Sequence, residues 1–198
     1  MHTEIITLTR PVEAMEIPSG IPDTLPAGGN VRLMQKLGGS YTVTSMNTGR
    51  MYRIEAKDAD ALGFSAPDEQ ASAAKGELSE KMVWDELKTI YDPEIPVNIA
   101  DLGLIYSCVI QPEQDGAIID VKMSMTAPGC GMGGILKADV ERRLSQLPSV
   151  KEVRVEIVLE PAWHPGLMSE AAKLQLGLDM DYSPSPYPSG LPVMREPR

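Results

Sequence analysis

The residues of this chain best suited to chemistry lie in the run Thr126-Ala127-Pro128-Gly129-Cys130-Gly131-Met132-Gly133-Gly134. It stands between a segment of alternating apolar residues and one with helical spacing, so a strand-to-helix turn is expected there. A thiol at such a place faces free backbone N–H groups and the positive end of a helix dipole. Both favour the thiolate, the form that ligates metal or attacks an electrophile. Glycines at 129, 131, 133 and 134 remove side-chain bulk and would let a ligand or partner approach the backbone closely. The plain alternative is a buried structural cysteine in a tight turn. Dense glycine around Cys130, with Pro128 stiffening the approach, favours function.

One cysteine cannot hold an iron–sulfur cluster, which takes about four ligands. Two protomers could supply two Cys130 sulfurs, with small thiols or a second protein completing the set. The expectation is therefore no stably bound cofactor, and at most a transient, shared iron–sulfur ligand at Cys130, with Gly129 and Gly131 beside it. The other cysteine, Cys108, falls on a face with Leu104, Tyr106 and Ile110 and reads as core.

Other candidates are weaker. Asp92, Glu94 and Asp101 could ligate a metal, although Asp-Pro-Glu and Asp-Leu-Gly are more often turn chemistry. His164, in Pro161-Ala162-Trp163-His164-Pro165, could serve Cys130 as a base. No Asn or Asp is obviously placed to orient it, and a loop histidine beside Trp163 reads first as packing. The glycine pattern from 129 to 134 misses the offsets and the following acid of a dinucleotide loop, and no Gly-Lys-Ser or Gly-Lys-Thr marks a nucleotide P-loop. Met123, Met125 and Met132 read as core or rim, not as copper ligands.

The elements that must position these residues fall into two sets. Segments 4–9, 12–17, 31–37, 41–46 and 51–55 read as short strands separated by Gly, Pro and Asn turns. They imply a small all-β, SH3-like module over residues 1–64, half-open and without a chemical constellation. Residues 65–76 are small and polar and read as a linker. Beyond it, Leu78, Met82, Val83, Leu87 and Ile90 recur at helical spacing up to Pro93, which is expected to stop the helix. Strands follow at Leu104–Ile110 and Ile118–Met125. In the second, Ile119, Val121, Met123 and Met125 point one way and Asp120, Lys122 and Ser124 the other. A helix over 133–147, a strand placing Val153, Val155, Ile157 and Leu159 inward, and a last helix from an N-cap at Ser169 to Gly177 complete the order α-β-β-α-β-α. The fold class is α+β: a two-layer α/β sandwich over residues 77–177, preceded by the β module. Residues 178–198 form a Pro/Ser-rich tail that cannot bury a core.

Composition sets the outer bounds. The 198 residues are 42% hydrophobic, 23% charged and 5% aromatic, as in a globular protein with an aliphatic core. No apolar run approaches the roughly 20 residues that a bilayer requires, and the N-terminus lacks the pattern of a signal peptide, so no membrane partner is expected. Two cysteines without pairing logic suit a reducing cytoplasm. Net charge is −10, and residues 67–176, with eighteen acids against ten bases, carry −8 of it. Such a surface repels phosphate backbones, so no nucleic-acid partner is expected. It reads as a solvated face, with basic partners as the alternative.

Taken together, Tyr91-Asp92-Pro93-Glu94-Ile95-Pro96-Val97-Asn98-Ile99, Asp101-Leu102-Gly103-Leu104-Ile105-Tyr106, Met125-Thr126-Ala127-Pro128-Gly129-Cys130 and Pro161-Ala162-Trp163-His164-Pro165 form an ordered set. Over about half the chain, Glu77 to Gly177, it resembles the iron–sulfur cluster assembly domain of SufT and of the eukaryotic cytosolic iron–sulfur targeting factors. The extra β module makes the long SufT form the nearest pattern. The resemblance implies a non-enzymatic accessory factor that assists cluster assembly or delivery to client apoproteins. It places the reactive cysteine on Cys130, the neighbouring threonine on Thr126 and the acidic turn on Asp92 and Glu94. The implied partners are the iron–sulfur assembly machinery and its clients, with a homodimer as a candidate assembly. An adaptor that never touches a cluster, and a factor for assembling multicomponent oxygenases, are the alternatives. Many family members carry proline after the cysteine, where this chain has Gly131.

Overall fold

A computed structural model describes residues 4–65, 78–127, 129 and 131–178. Backbone contacts divide the chain into two compact units. The first is Met1–Ala71 with Tyr91–Pro96 and Cys130–Met132, and the second is Ser72–Ile90, Val97–Gly129 and Gly133–Arg198.

The first unit is built on six strands: β1 (Ile5–Thr7), β2 (Val12–Ile17), β3 (Pro22–Leu25), β4 (Asn30–Leu37), β5 (Ser40–Ser45) and β6 (Met51–Glu55). They form one antiparallel sheet in the order β1-β4-β5-β6-β2-β3. Alternation delivers Val12 and Ala14 of β2 and Val31 of β4 to one core with Leu8, Tyr41, Val43, Tyr52 and Ile54. A 3₁₀ turn at Ala56–Leu62 adds Ala59, Ala61 and Leu62, and Gly63 closes it in the left-handed region. Arg10 pins that turn through ion pairs to Asp58 at 2.9 Å and Asp60 at 2.6 Å. The ring of Phe64 stacks on Tyr41 with centroids 5.3 Å apart, and the Lys36 ammonium lies 4.1 Å from the Phe64 centroid.

Strand β3 has no counterpart in the sequence pattern, which reads turns at 18–20 and 26–30 and assigns no element between them. Its Pro22 pairs opposite Met15 on the outermost strand of the sheet, where a residue lacking N–H breaks no inner ladder.

The second unit holds α1 (Glu80–Leu87), β7 (Ile105–Glu113), β8 (Gly116–Met123), α2 (Gly133–Leu144), β9 (Val150–Ile157) and α3 (Glu170–Leu176). Strand β8 is central, antiparallel to β7 and parallel to β9. A parallel neighbour cannot be reached by a hairpin, and α2 supplies the crossover. Helix α2 packs on β9 and α1. Val83 and Leu87 of α1, Leu136, Val140 and Leu144 of α2, and Ile119, Val121 and Met123 of β8 are almost wholly buried. Truncating a residue such as Leu136 to Ala would cost roughly 2–5 kcal/mol. Arg143 of α2 ties the two helices, reaching Glu86 at 3.2 Å and the Thr89 hydroxyl at 3.0 Å. This is the two-layer α/β architecture expected, alongside a small antiparallel β-sheet module.

Several boundaries differ from the sequence pattern. Helix α1 starts after the cap Ser79, whose hydroxyl accepts from the Met82 amide at 3.3 Å, and ends at Leu87, well before Pro93. Ile90 is buried all the same, in the turn beyond the helix. A bulge between Ile105 and Ser107 resets the alternation in β7 and keeps Cys108 buried. Ser124 lies past the end of β8 and is buried, whereas alternation put it with the solvent-facing residues. Leu159 is 49% exposed, because β9 ends at Ile157 and the inward period stops with it. The last helix is capped as expected, by Ser169 accepting from the Ala172 amide and by Gly177 at φ 68°.

Candidate functional site

Beyond β8 the chain turns towards α2 through the glycine-rich run. The Ser124 amide donates to the Leu104 carbonyl at 2.7 Å, and Met125 is buried. Thr126 is half-buried, Ala127 exposed, and Gly129 adopts φ +77°. A Cβ on Gly133 would sit in ordinary contact with Met125 and the Ile157 side chain, so a small side chain fits at the start of α2 as well as glycine does. Cys130 and Pro128 lie outside the described residues. Gly131 is described with the first unit, and its amide donates to the Pro18 carbonyl at 3.1 Å.

The acidic turn also belongs to the first unit. Asp92 is buried, and its Oδ1 accepts from the amides of Glu94 and Ile95, both at 2.8 Å. This is an Asx turn, the local chemistry that Asp before proline favours. Burial pushes the Asp92 carboxyl above the usual carboxylate range, and the two amide bonds offset only part of that. Burial also raises Glu94, with the Asp92 charge adding to it. The backbone of the turn is held from β4 and β5. Gln35 donates to the Asp92 carbonyl at 3.1 Å, and the buried Thr42 hydroxyl donates to the Pro93 carbonyl at 3.1 Å.

Asp101 and His164 sit in the second unit. Asp101 closes a turn with Asn98: its amide donates to Asn98 Oδ1 at 2.8 Å, and Asn98 Nδ2 donates to Asp101 Oδ2 at 2.6 Å. Its carbonyl accepts from the Ser169 amide, which fixes the start of α3. Trp163 donates through Nε1 to the Leu102 carbonyl at 2.8 Å, and Tyr106 donates to the Pro161 carbonyl at 2.9 Å. His164 Nδ1 accepts from the Gly166 amide at 3.2 Å, capping the 3₁₀ turn Pro165–Leu167. With Nδ1 so used, the neutral ring carries its proton on Nε2. These contacts give Asp101 and His164 structural work within their own turns.

The structure thus divides the candidates. Asp92 and Glu94 share the first unit with Gly131, whereas Asp101, His164, Thr126 and Gly129 belong to the second. Among the described residues, no three or more His, Cys, Asp or Glu side chains gather as a metal-ligand set. Cys108 is buried and its thiol is pushed up to about 11, chiefly by burial and further by Glu80, so it stays protonated and inert. Sequence reasoning did not anticipate Gln35, Thr42 or Pro18 as holders of these segments. A polar side chain in a strand carries no local sign of its partner some fifty residues away.

Comparison with known proteins adds the family. The model of the family "Iron-sulfur cluster assembly protein" matches residues 80–157. An Fe-S protein maturation auxiliary factor of Porphyromonas gingivalis is 43% identical over 91 residues, covering 46% of this chain and 84% of that protein. The Fe-S protein maturation auxiliary factor YitW of Bacillus subtilis is 34% identical over 102 residues, covering 52% of this chain and 97% of its own length. The Fe-S protein maturation auxiliary factor SufT of Staphylococcus aureus is 34% identical over 89 residues, covering 45% and 98%. No helix among the described residues is long and apolar enough to cross a membrane. With its second half aligned to nearly the full length of such relatives, the chain belongs to the iron–sulfur cluster assembly protein family, as a non-catalytic accessory factor.

Proposed function

We propose that this chain assists the delivery of iron–sulfur clusters to apoproteins through a transient thiol contact at Cys130, and that it is a SufT-type factor extended by an N-terminal β module. The supporting observation is the family match over 80–157, which spans the cysteine loop in a chain whose other cysteine is buried and protonated. The cluster is cargo, shared between Cys130 and ligands from outside the chain, because one cysteine falls short of the about four ligands a cluster takes. Thr126 and Gly129 flank the thiol on the side where cargo or client approaches, while the Gly131 amide is taken up by the Pro18 carbonyl. Asp92 and Glu94 form an acidic turn that contributes to the same work. The partners are the assembly machinery and client apoproteins, the setting is the cytoplasm, and a homodimer would bring two Cys130 thiols to one cargo.

Replacing Cys130 with Ser tests the reading in cells that lack the native chain. Activity of their iron–sulfur enzymes should fall to the level without the chain, while the purified variant melts as the wild type does. Full enzyme activity with Cys130→Ser removes the thiol. It would leave an adaptor that binds machinery and client without touching a cluster. Anaerobic incubation with iron and sulfide separates the two further, since only the thiol reading expects visible absorption that depends on Cys130.

A further inference from the structure

The family match begins at residue 80 and so leaves the six-stranded sheet without a role. The contacts inside the first unit suggest one. The Pro18-Ser19-Gly20 turn, just after β2, meets Gly131 backbone to backbone: the Gly131 amide donates to the Pro18 carbonyl at 3.1 Å. Both glycines are required for that approach. A Cβ on Gly131 would overlap the Ser19 carbonyl oxygen, and one on Gly20, itself at φ +69°, would overlap the Gly131 carbonyl oxygen. A proline at position 131 would bring ring atoms to this spot and remove the donating N–H. Gly131 is therefore fitted to the turn it meets.

The same sheet grips the acidic turn. Thr42 is only 4% exposed in the middle of β5, and its hydroxyl donates to the Pro93 carbonyl. A buried hydroxyl without a partner would be costly, so this bond fixes the carbonyl as firmly as it satisfies the threonine. Gln35, beside the bulge in β4, donates to the next carbonyl back, that of Asp92. Two segments far apart in sequence, 91–96 and 131–132, are thus fixed by main-chain atoms to one sheet.

We propose that the six-stranded sheet is a positioning device: Pro18–Gly20 holds the residue after Cys130, Thr42 and Gln35 hold the Asp92–Glu94 turn, and Gly131 is the residue that admits the contact. These are positioning residues, acting through the backbone of the segments they hold. The inference rests on the reading of Cys130 as the working thiol, but its test does not depend on client maturation.

The test uses the full chain with two readouts: amide hydrogen exchange over 129–133, and the rate of alkylation at Cys130 against pH, followed by peptide mass mapping so that Cys108 is scored separately. Gly131→Ala and Gly20→Ala should speed exchange in this stretch by at least about tenfold. They should also shift the pH midpoint of Cys130 alkylation away from that of the wild type by at least about half a unit. Thr42→Val, close in shape but without the donor, should speed exchange of the Glu94 and Ile95 amides, and Thr42→Ser should restore it. Unchanged exchange and an unchanged alkylation profile in both glycine variants would overturn the proposal. If a glycine variant fails to fold, the Thr42→Val and Thr42→Ser pair decides, and identical exchange in those two and the wild type overturns it. The two readings fail separately. Full client maturation by Cys130→Ser, with Gly131 still protected, removes the thiol and leaves the positioning intact. Loss of maturation in Cys130→Ser with no effect of the glycine or threonine variants does the reverse.

Discussion

The turns at Asp92 and at Asp101 are close in sequence and look alike, each an acid in a short loop with proline or glycine beside it. Their surroundings set them apart. Asp101 is half-buried and exchanges hydrogen bonds with the Asn98 side chain, so both amino acids are satisfied by each other. Asp92 is buried, its partners are the Glu94 and Ile95 amides, and burial raises its carboxyl. The Asp101 turn, closed by that mutual pair, is a structural joint. The other holds a carboxylate out of water, and that is the environment from which acid–base and ligand chemistry is usually drawn. The difference lies in burial and not in motif.

The largest effect that could sharpen this contrast is at the Asp101 turn. Gly103 sits at φ +71°, and a Cβ there would overlap the Leu167 carbonyl oxygen. Gly103→Ala should therefore destabilise the second unit by roughly 2–4 kcal/mol, read by denaturant unfolding, through strain and overlap together. A loss below about 0.5 kcal/mol would mean that the Asp101 turn is not the joint described.

A smaller loss is expected at the other turn. Asp92→Ala leaves the Glu94 and Ile95 amides without their acceptor and should cost about 2 kcal/mol. If it instead stabilised the protein, the carboxylate would be a net burden kept for use. That outcome would sharpen the comparison further.

The smallest effect is a slope. A carboxyl raised on folding means that the native state holds more protons than the unfolded chain between pH 3.8, the ordinary value of the group, and its raised value. Stability from this group is then present below that pH and declines as pH rises through the raised value. Asp92→Asn keeps an acceptor for the two amides but cannot ionise. Thermal melts should show the variant gaining on the wild type from pH 3.8 upward. A stability difference that stays flat across that window would mean Asp92 is not raised.

Much of the second unit was legible because its signals are local. The alternation of Ile119, Val121 and Met123 and the caps at Ser169 and Gly177 need only neighbouring residues, and each appears where expected. What escaped depends on distant partners. β3 exists because Pro22–Leu25 finds β2 beside it, and Leu159 turns outward because the sheet ends before it. Helix α1 stops at Leu87 without proline, since Thr89 and Ile90 are drawn into turn bonds to Glu86 and Leu87. For the candidate site, the acidic turn was visible as a motif. The hold on it from Thr42 and Gln35 was not, because a strand pattern records which face a residue takes and not which carbonyl it meets.

The chain carries two tryptophans, Trp84 in α1 and Trp163 bonded to the Leu102 carbonyl, and both belong to the second unit. The core of the first unit contains Tyr41 and Tyr52 but no indole. Emission excited beyond the tyrosine band is therefore an optical label for one unit alone, built in without any added dye. Far-ultraviolet dichroism sees both sheets at once. Where dichroism falls before the indole emission changes along a denaturation curve, the six-stranded sheet has melted on its own.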